Sequence, residues 1–343
     1  MHLKNWWRFC IRRINTAMKR KSAFLILSTL LVLVILVSIR IGSVSVSMGD
    51  VLAAFGNGTG GTAGIIRDIR LPRIIMGVLV GTNLAVSGVL LQGVMRNPMA
   101  DPGITGISSG ASVVVMILML YFPGMTSAVP IFGFLGGILA CVLIYSLAWK
   151  QGLSAVRIVL AGVAVNSMLG GVSSLISLLN SESLAGVLSW LNGELGKKSW
   201  TQVKFMAIYS AIGLFLAFLL PRCCDVLALG DKNTKSLGYN PNVLRLLISA
   251  VAVFLAGIST AYVGVIGFIG LIVPHIARIL MGSEHKYLIP FSALMGATVL
   301  LAADTVGRTV IAPYEIPVGV ITTVCGGPFF LYLLRKDSKG YGD

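Results

Sequence analysis

The chain has 343 residues, 56% of them hydrophobic and 11% charged, with a formal net charge of +15. Soluble domains carry roughly 25% charged residues, so this composition excludes an ordinary water-soluble protein and points to an all-α, polytopic membrane protein. The positive charge does not indicate nucleic acid: seven of the 27 Lys/Arg lie in the first 21 residues and three (Arg335, Lys336 and Lys339) near the end, flanking apolar segments instead of forming a basic face.

The first apolar run, Ala23–Ile39, follows the basic stretch 1–22. Its 17 residues span about 26 Å as helix, close to the ~30 Å hydrocarbon core. It lacks an Ala-x-Ala site, so an uncleaved first spanning helix is expected rather than a signal peptide. The segment 40–72 that follows is long, and Ser47-Met48-Gly49-Asp50 before Val51–Phe55 has the pattern of a capped short helix. Further spans are expected near 73–95, 104–122, 131–149, 157–179, 201–220, 242–262, 268–282, 288–304 and 317–334, about ten in all. Pro123-Gly124, Pro221, Pro241 and Pro290 punctuate their ends. The inner segment 221–241 is the other long connection, with one or two short helices expected over Asp225–Leu237.

An even number of spans puts both basic termini on the same side. That assignment leaves 19 Lys/Arg inside and 8 outside, the bias expected for cytoplasmic termini. The outer set includes Arg70 and Arg73 around Leu71-Pro72, and Arg308, with Asp304 one helical turn away. At the opposite end of the second span, Gln92 precedes Arg96-Asn97-Pro98-Met99-Ala100-Asp101-Pro102, where Pro98 removes a backbone donor and forces the chain to turn. The five cysteines (Cys10, Cys141, Cys223, Cys224 and Cys325) show no zinc or redox spacing, and Cys141 and Cys325 read as small buried residues. His275 after Pro274 has no second metal ligand near it in sequence. No metal site is expected. A P-loop is also missing: Gly196-Lys197-Lys198-Ser199 has Leu191 where the first glycine belongs and a second lysine in place of the hydroxyl.

Five blocks in order carry a resemblance. They are Arg70-Leu71-Pro72-Arg73; Gln92 to Pro102; Leu229-Gly230 through Ser236-Leu237-Gly238; Gly267 to Arg278; and Glu315-Ile316-Pro317-Val318-Gly319-Val320 with Gly326-Gly327-Pro328. Together they resemble the permease subunits of the FecCD-type ABC importers, which carry iron-siderophores, haem and cobalamin into bacteria. The resemblance implies the type II ABC importer permease fold over residues 23–335, between a basic tail at 1–22 and a short tail at 336–343. It further implies a location in the bacterial plasma membrane with both termini cytoplasmic.

The same resemblance implies partners and roles. The partners are a second permease subunit in a homo- or heterodimer, two ABC ATPase subunits, an extracellular substrate-binding lipoprotein and the surrounding lipid. This chain is then no enzyme and holds no cofactor of its own, because ATP and Mg belong to the ATPase. Arg70, Arg73 and Arg308 match positions that receive acidic residues of the binding protein; as exposed pairs each is worth ~0–1 kcal/mol and acts on encounter and register. Asn97, Met99, Ser154 and Ala155 match the cytoplasmic gate. Leu229, Gly230, Thr234, Lys235, Ser236, Leu237 and Gly238 match the loop that couples to the ATPase, with Thr234-Lys235 where Ala-Arg is commoner. Asn166, Ser173 and Ser174 fall on the fifth span, which lines the pathway in such permeases. The expected activity is ATP-driven import of an iron-siderophore, with haem or cobalamin as the alternative cargo. An ion-coupled secondary transporter is the reading from another class, and it calls for intramembrane acidic residues, which only Asp304 approaches.

Overall fold

A computed structural model describes residues 2–42, 49, 61–150 and 152–337. Ten long helices are present among them: α1 (His2–Arg40), α2 (Leu71–Met95), α3 (Ile107–Tyr121), α4 (Val129–Ala148), α5 (Ala155–Leu179), α7 (Trp200–Leu219), α10 (Pro241–Val263), α11 (Ile269–Met281), α12 (His285–Gly307) and α13 (Val318–Asp337). Four short ones intervene: a single turn at Gly61–Gly64, α6 (Ala185–Leu191), α8 (Pro221–Ala228) and α9 (Asp231–Ser236). Seven helical stretches are long and apolar enough to cross a membrane, and α3, α11 and the apolar part of α13 are shorter apolar helices. The expected ten segments are thus all present, and 221–241 forms two short helices. The pattern at Ser47–Asp50 and 51–55 lies outside the described residues, Gly49 excepted.

Two boundaries differ in an informative way. Helix α1 runs back to His2 instead of starting near residue 23. The stretch 2–22 contains no glycine or proline, and lysine, arginine and methionine are good helix formers. Helix α2 is preceded by a π-helical turn, Ile65–Arg70, whose wide register carries Arg70 to a buried position. Cys141 is buried as expected, whereas Cys325 is exposed on α13.

Helix α2 is the centre of the bundle. It is buried along nearly its whole length, with α12, α10, α11 and α7 packed around it. Lipid provides no hydrophobic drive between helices, so close approach through small residues has to bring them together. A Cβ on Gly81 would lie 2.3 Å from the carbonyl oxygen of Gly296 on α12. One on Gly88 would lie 1.9 Å from that of Gly270 on α11. Polar side chains pin the same contacts: Asn83 donates to Ser210 at 2.8 Å, Ser87 to the Ala252 carbonyl at 2.7 Å, and Gln92 to the Leu271 carbonyl at 3.2 Å.

Gly88→Ala should therefore destabilise at or beyond the ~1–3 kcal/mol of ordinary overpacking, because the obstacle is backbone. Thermal unfolding in detergent checks this. Gly64→Ala, with nothing within 4 Å of the added carbon, should leave the melting temperature unchanged.

Candidate functional site

The contacts at the two ends of the bundle sort the charged residues into the same two groups that the charge count placed on opposite sides. At one end, where α1 finishes and α2 starts, Arg73 binds Asp304 of α12 in a bidentate pair, with Nε and Nη2 2.9–3.1 Å from the carboxylate oxygens. Arg73 also reaches Glu315 at 2.6 Å, and Arg308 lies 3.2 Å from the other side of Asp304. Arg308 donates to the Ser38 hydroxyl at 2.7 Å, and Arg70 donates to the carbonyls of Ile39 and Arg40. A single carboxylate thus holds two arginines, while all three arginines bind the ends of α1, α12 and the loop before α13.

This arrangement revises the energetics expected of Arg70, Arg73 and Arg308. They are 5%, 9% and 3% exposed, not free surface charges, so the arithmetic of exposed pairs does not apply to them. Asp304 is 1% exposed and held between Arg73 and Arg308. The accessible member of the cluster is Glu315, with 39% of its side chain in the open. A small cavity of about 60 Å³ beside it is bordered by Arg73, Glu194 and Glu315.

At the other end, α2 stops at Met95 and Arg96 takes a left-handed conformation with φ of 46°. Asn97 follows, its side-chain oxygen accepting from the Met99 amide at 2.9 Å in a tight turn. Ala155 is the first residue of α5, and Ser154 stands just before it in extended conformation. These two segments meet α9 in an open cleft of about 420 Å³ lined by Arg96, Leu153, Ser154, Ala155, Arg157, Asp231, Lys235, Asn242 and Arg245, among others.

Asp231, in the first turn of α9, binds Arg96 and accepts from Arg245 of α10 at 2.7 and 3.1 Å. Arg245 also donates to the Leu153 carbonyl at 3.0 Å, and Arg96 to the Leu227 carbonyl at 3.1 Å. The hydrogen bonds from Arg245, with help from Arg96, hold the Asp231 carboxyl below the usual carboxylate range despite partial desolvation. A depressed folded-state value means this contribution is complete above the ordinary carboxylate pKa of about 4 and is lost only as pH falls through the lower value. Nearby, His285 Nδ1 lies 2.6 Å from Asp225, tying α8 to the start of α12.

The expected gate residues Asn97, Met99, Ser154 and Ala155 and the expected coupling residues 229–238 therefore share one end of the bundle. Thr234 is buried and donates to the Val226 and Gly230 carbonyls, whereas Leu229 and Leu237 are each 55% exposed. Gly230 and Gly238 both take positive φ, which frames α9 between two turns. Lys235 and Ser236 face outward. Asp231 and Arg245, which hold the site together, were not among the expected residues. The available signal was weak: Asp231 is one of two carboxylates, with Asp225, in an inner segment that also carries Arg222, Lys232 and Lys235.

On α5, Asn166 donates to the Gly103 carbonyl at 3.0 Å and is half-buried, as is Ser173, while Ser174 is exposed. Most of the α5 surface is uncovered in the single chain, including Ser167, Gly170 and Gly171. Among the described residues, no three His, Cys, Asp or Glu side chains gather as a metal site.

Comparison with known proteins adds the following. The FecCD transport family matches residues 30–336. The "Fe(3+)-citrate import system permease protein YfmD" of Bacillus subtilis (strain 168) is 43% identical over 272 residues, 79% of this chain and 81% of its own. The "Probable heme-iron transport system permease protein IsdF" of Staphylococcus aureus is 37% identical over 321 residues, 94% of this chain and 98% of its own. A solved metal-chelate type ABC transporter chain in an inward-facing conformation superposes with a TM-score of 0.82 at 30% identity, covering 92% of this chain and 99% of that one.

Asp304→Ala should leave the buried Arg308 without a carboxylate and Arg73 with Glu315 alone, and cost about 3–5 kcal/mol. Glu315→Gln, at the open edge of the cluster, should cost less than about 1 kcal/mol. Denaturant unfolding of the two purified variants separates these values.

Proposed function

The chain belongs to the FecCD transport family, and from that footing we propose that it forms the pathway of an ATP-driven importer for an iron-siderophore complex. Ferric citrate, named for YfmD, and haem, named for IsdF, are cargoes of the same kind: iron already enclosed in an organic ligand. An enclosed metal needs no intramembrane ligand set, only a passage and a gate. ATP is hydrolysed on a separate ATPase subunit, and both termini lie in the cytoplasm.

The observation that carries this reading is the meeting of two turns, 96–99 and 152–155, with α9 around one ion network. Exposed Leu229 and Leu237 give the ATPase an apolar grip beside that network. Displacement of α8–α9 then reaches both turns as a small rigid-body movement. Asn97, Met99, Ser154 and Ala155 form the gate, and because Ala155 has no hydroxyl, closure there is steric. The uncovered face of α5, with Asn166, Ser173 and Ser174, lines the pathway opposite a second permease subunit. That arrangement accounts for glycines and serines exposed on an otherwise apolar helix.

At the outer end, the three arginines orient an acidic partner, the lipoprotein that delivers cargo. Arg73 is already paired with Glu315, so an incoming carboxylate competes with that residue. Glu315→Gln should raise the affinity of the binding protein at low salt, measured by surface-immobilised titration; unchanged or weaker binding contradicts docking at Arg73. Reversing Arg73 itself is a poor probe, because it breaks the buried pair with Asp304.

The whole reading is tested in sealed vesicles carrying the chain, its permease partner and the ATPase. Uptake of labelled ferric chelate should require both ATP and the binding protein. Uptake by the permease alone, or driven by a sodium or proton gradient, overturns it.

A further inference from the structure

We infer that Asp231 is the mechanical link between the ATPase-facing helix and the gate, an ionic latch that moves the turn at Arg96 and the loop at Leu153 together. This rests on the importer reading for its purpose but on geometry for its existence.

Helix α9 has little else to hold it to the membrane-spanning helices. Of its six residues only Thr234 is buried, and the Thr234 hydroxyl bonds to Val226 and Gly230, within the α8–α9 segment itself. Asn233 and Ser236 bond to Leu229 and Lys232, again within the segment. Among the described residues, the side-chain bonds from α9 to α2 and α10 are those of Asp231 alone.

The two arginines that it holds each reach one further place. Arg96 is the left-handed residue that begins the Asn97-Pro98-Met99 turn, and it also grips the Leu227 carbonyl at the end of α8. Arg245 is buried in α10 and grips Leu153, immediately before Ser154 and Ala155. One carboxylate therefore joins α8–α9 to both gate segments. Lys235, one turn on in α9, and Arg157 line the same cleft, so Asp231 is the one anion among five charged groups lining that space.

Without it, Arg96 and Arg245 would repel one another, and α9 would lose its side-chain ties to both gate segments, leaving only the Arg96 bond to the Leu227 carbonyl of α8. An ion pair shared by two guanidinium groups resists separation in a defined direction, which a helix dragged by opening ATPases requires. Its half-exposed position keeps the pair weak enough to re-form at each cycle.

The test has two arms. In the full-length chain alone, Asp231→Asn should raise amide hydrogen exchange at 231–237 at least tenfold, leaving 80–92 of α2 unchanged, and Asp231→Glu should restore most of the protection. Equal exchange in wild type and Asp231→Asn overturns the latch regardless of what the protein transports. In vesicles with the ATPase and binding protein, Asp231→Asn should lower the cargo carried per ATP hydrolysed about tenfold, with partial recovery in Asp231→Glu. An unchanged ratio also overturns the latch. Failure of the wild-type assembly to transport would instead refute the importer reading, while the exchange arm still decides the latch.

Discussion

Hydrocarbon gives a charged group no water and no counterion, so charge in this chain is pushed to the two ends of its helices and has to be matched there. Helix α2 is the element on which this constraint bears hardest. It is buried almost throughout, yet it carries Arg73 in its first turn and Arg96 just past its last. The 22 residues between them, 74–95, span about 33 Å of helix. Each arginine finds a carboxylate on another element: Asp304 of α12 at one end and Asp231 of α9 at the other. The remaining helices are arranged around a rod whose charged tips are both tied to acidic residues.

The two ties differ in burial, and that difference divides the labour. Asp304 is almost wholly enclosed and makes several short contacts with Arg73, so removing either partner strands a buried charge. Such a cluster behaves as a fixed joint between α1, α2, α12 and the approach to α13. Asp231 is half-exposed, and water competes for the same arginines. A pair in that setting opens and closes at little cost. The molecule is accordingly stiff where α1 ends and yielding where α9 meets the turn at Arg96.

The amino-acid sequence shows the ten spans because each is a long apolar run bounded by proline, glycine or charge. It shows the two short helices at 221–241 and the proline-stopped turn at Asn97 for the same local reasons. It does not show which helices touch, since apolar side chains in lipid are nearly interchangeable and the contact is set by backbone approach at Gly81, Gly88, Gly270 and Gly296. Nor does it show pairs such as Arg73 with Asp304, 231 positions apart. Asp304 was visible only as the neighbour of Arg308 because four residues is the reach of local reasoning on a helix. The burial of Arg70, Arg73 and Arg308 escaped for the same reason.

The position of the hinge follows from what is tied down near Arg96. Gln92 is buried and donates to the Leu271 carbonyl on α11 and to that of Ala100 at 3.5 Å, so α2 is anchored one turn before its end. Ala100 is buried, and Asp101 caps the turn Pro102–Thr105 by accepting from Gly103, so the chain is anchored again just after residue 99. Between these fixed points residues 96–99 are the one continuous stretch that is exposed or half-exposed, starting from the left-handed Arg96; Gly93, also half-exposed, stands inside helical α2. A pull on Arg96 is therefore absorbed by rotation within those four residues while α2 stays in place. Such a rotation does not require the central helix to slide against the Gly81 and Gly88 crossings, where there is no room for it to do so.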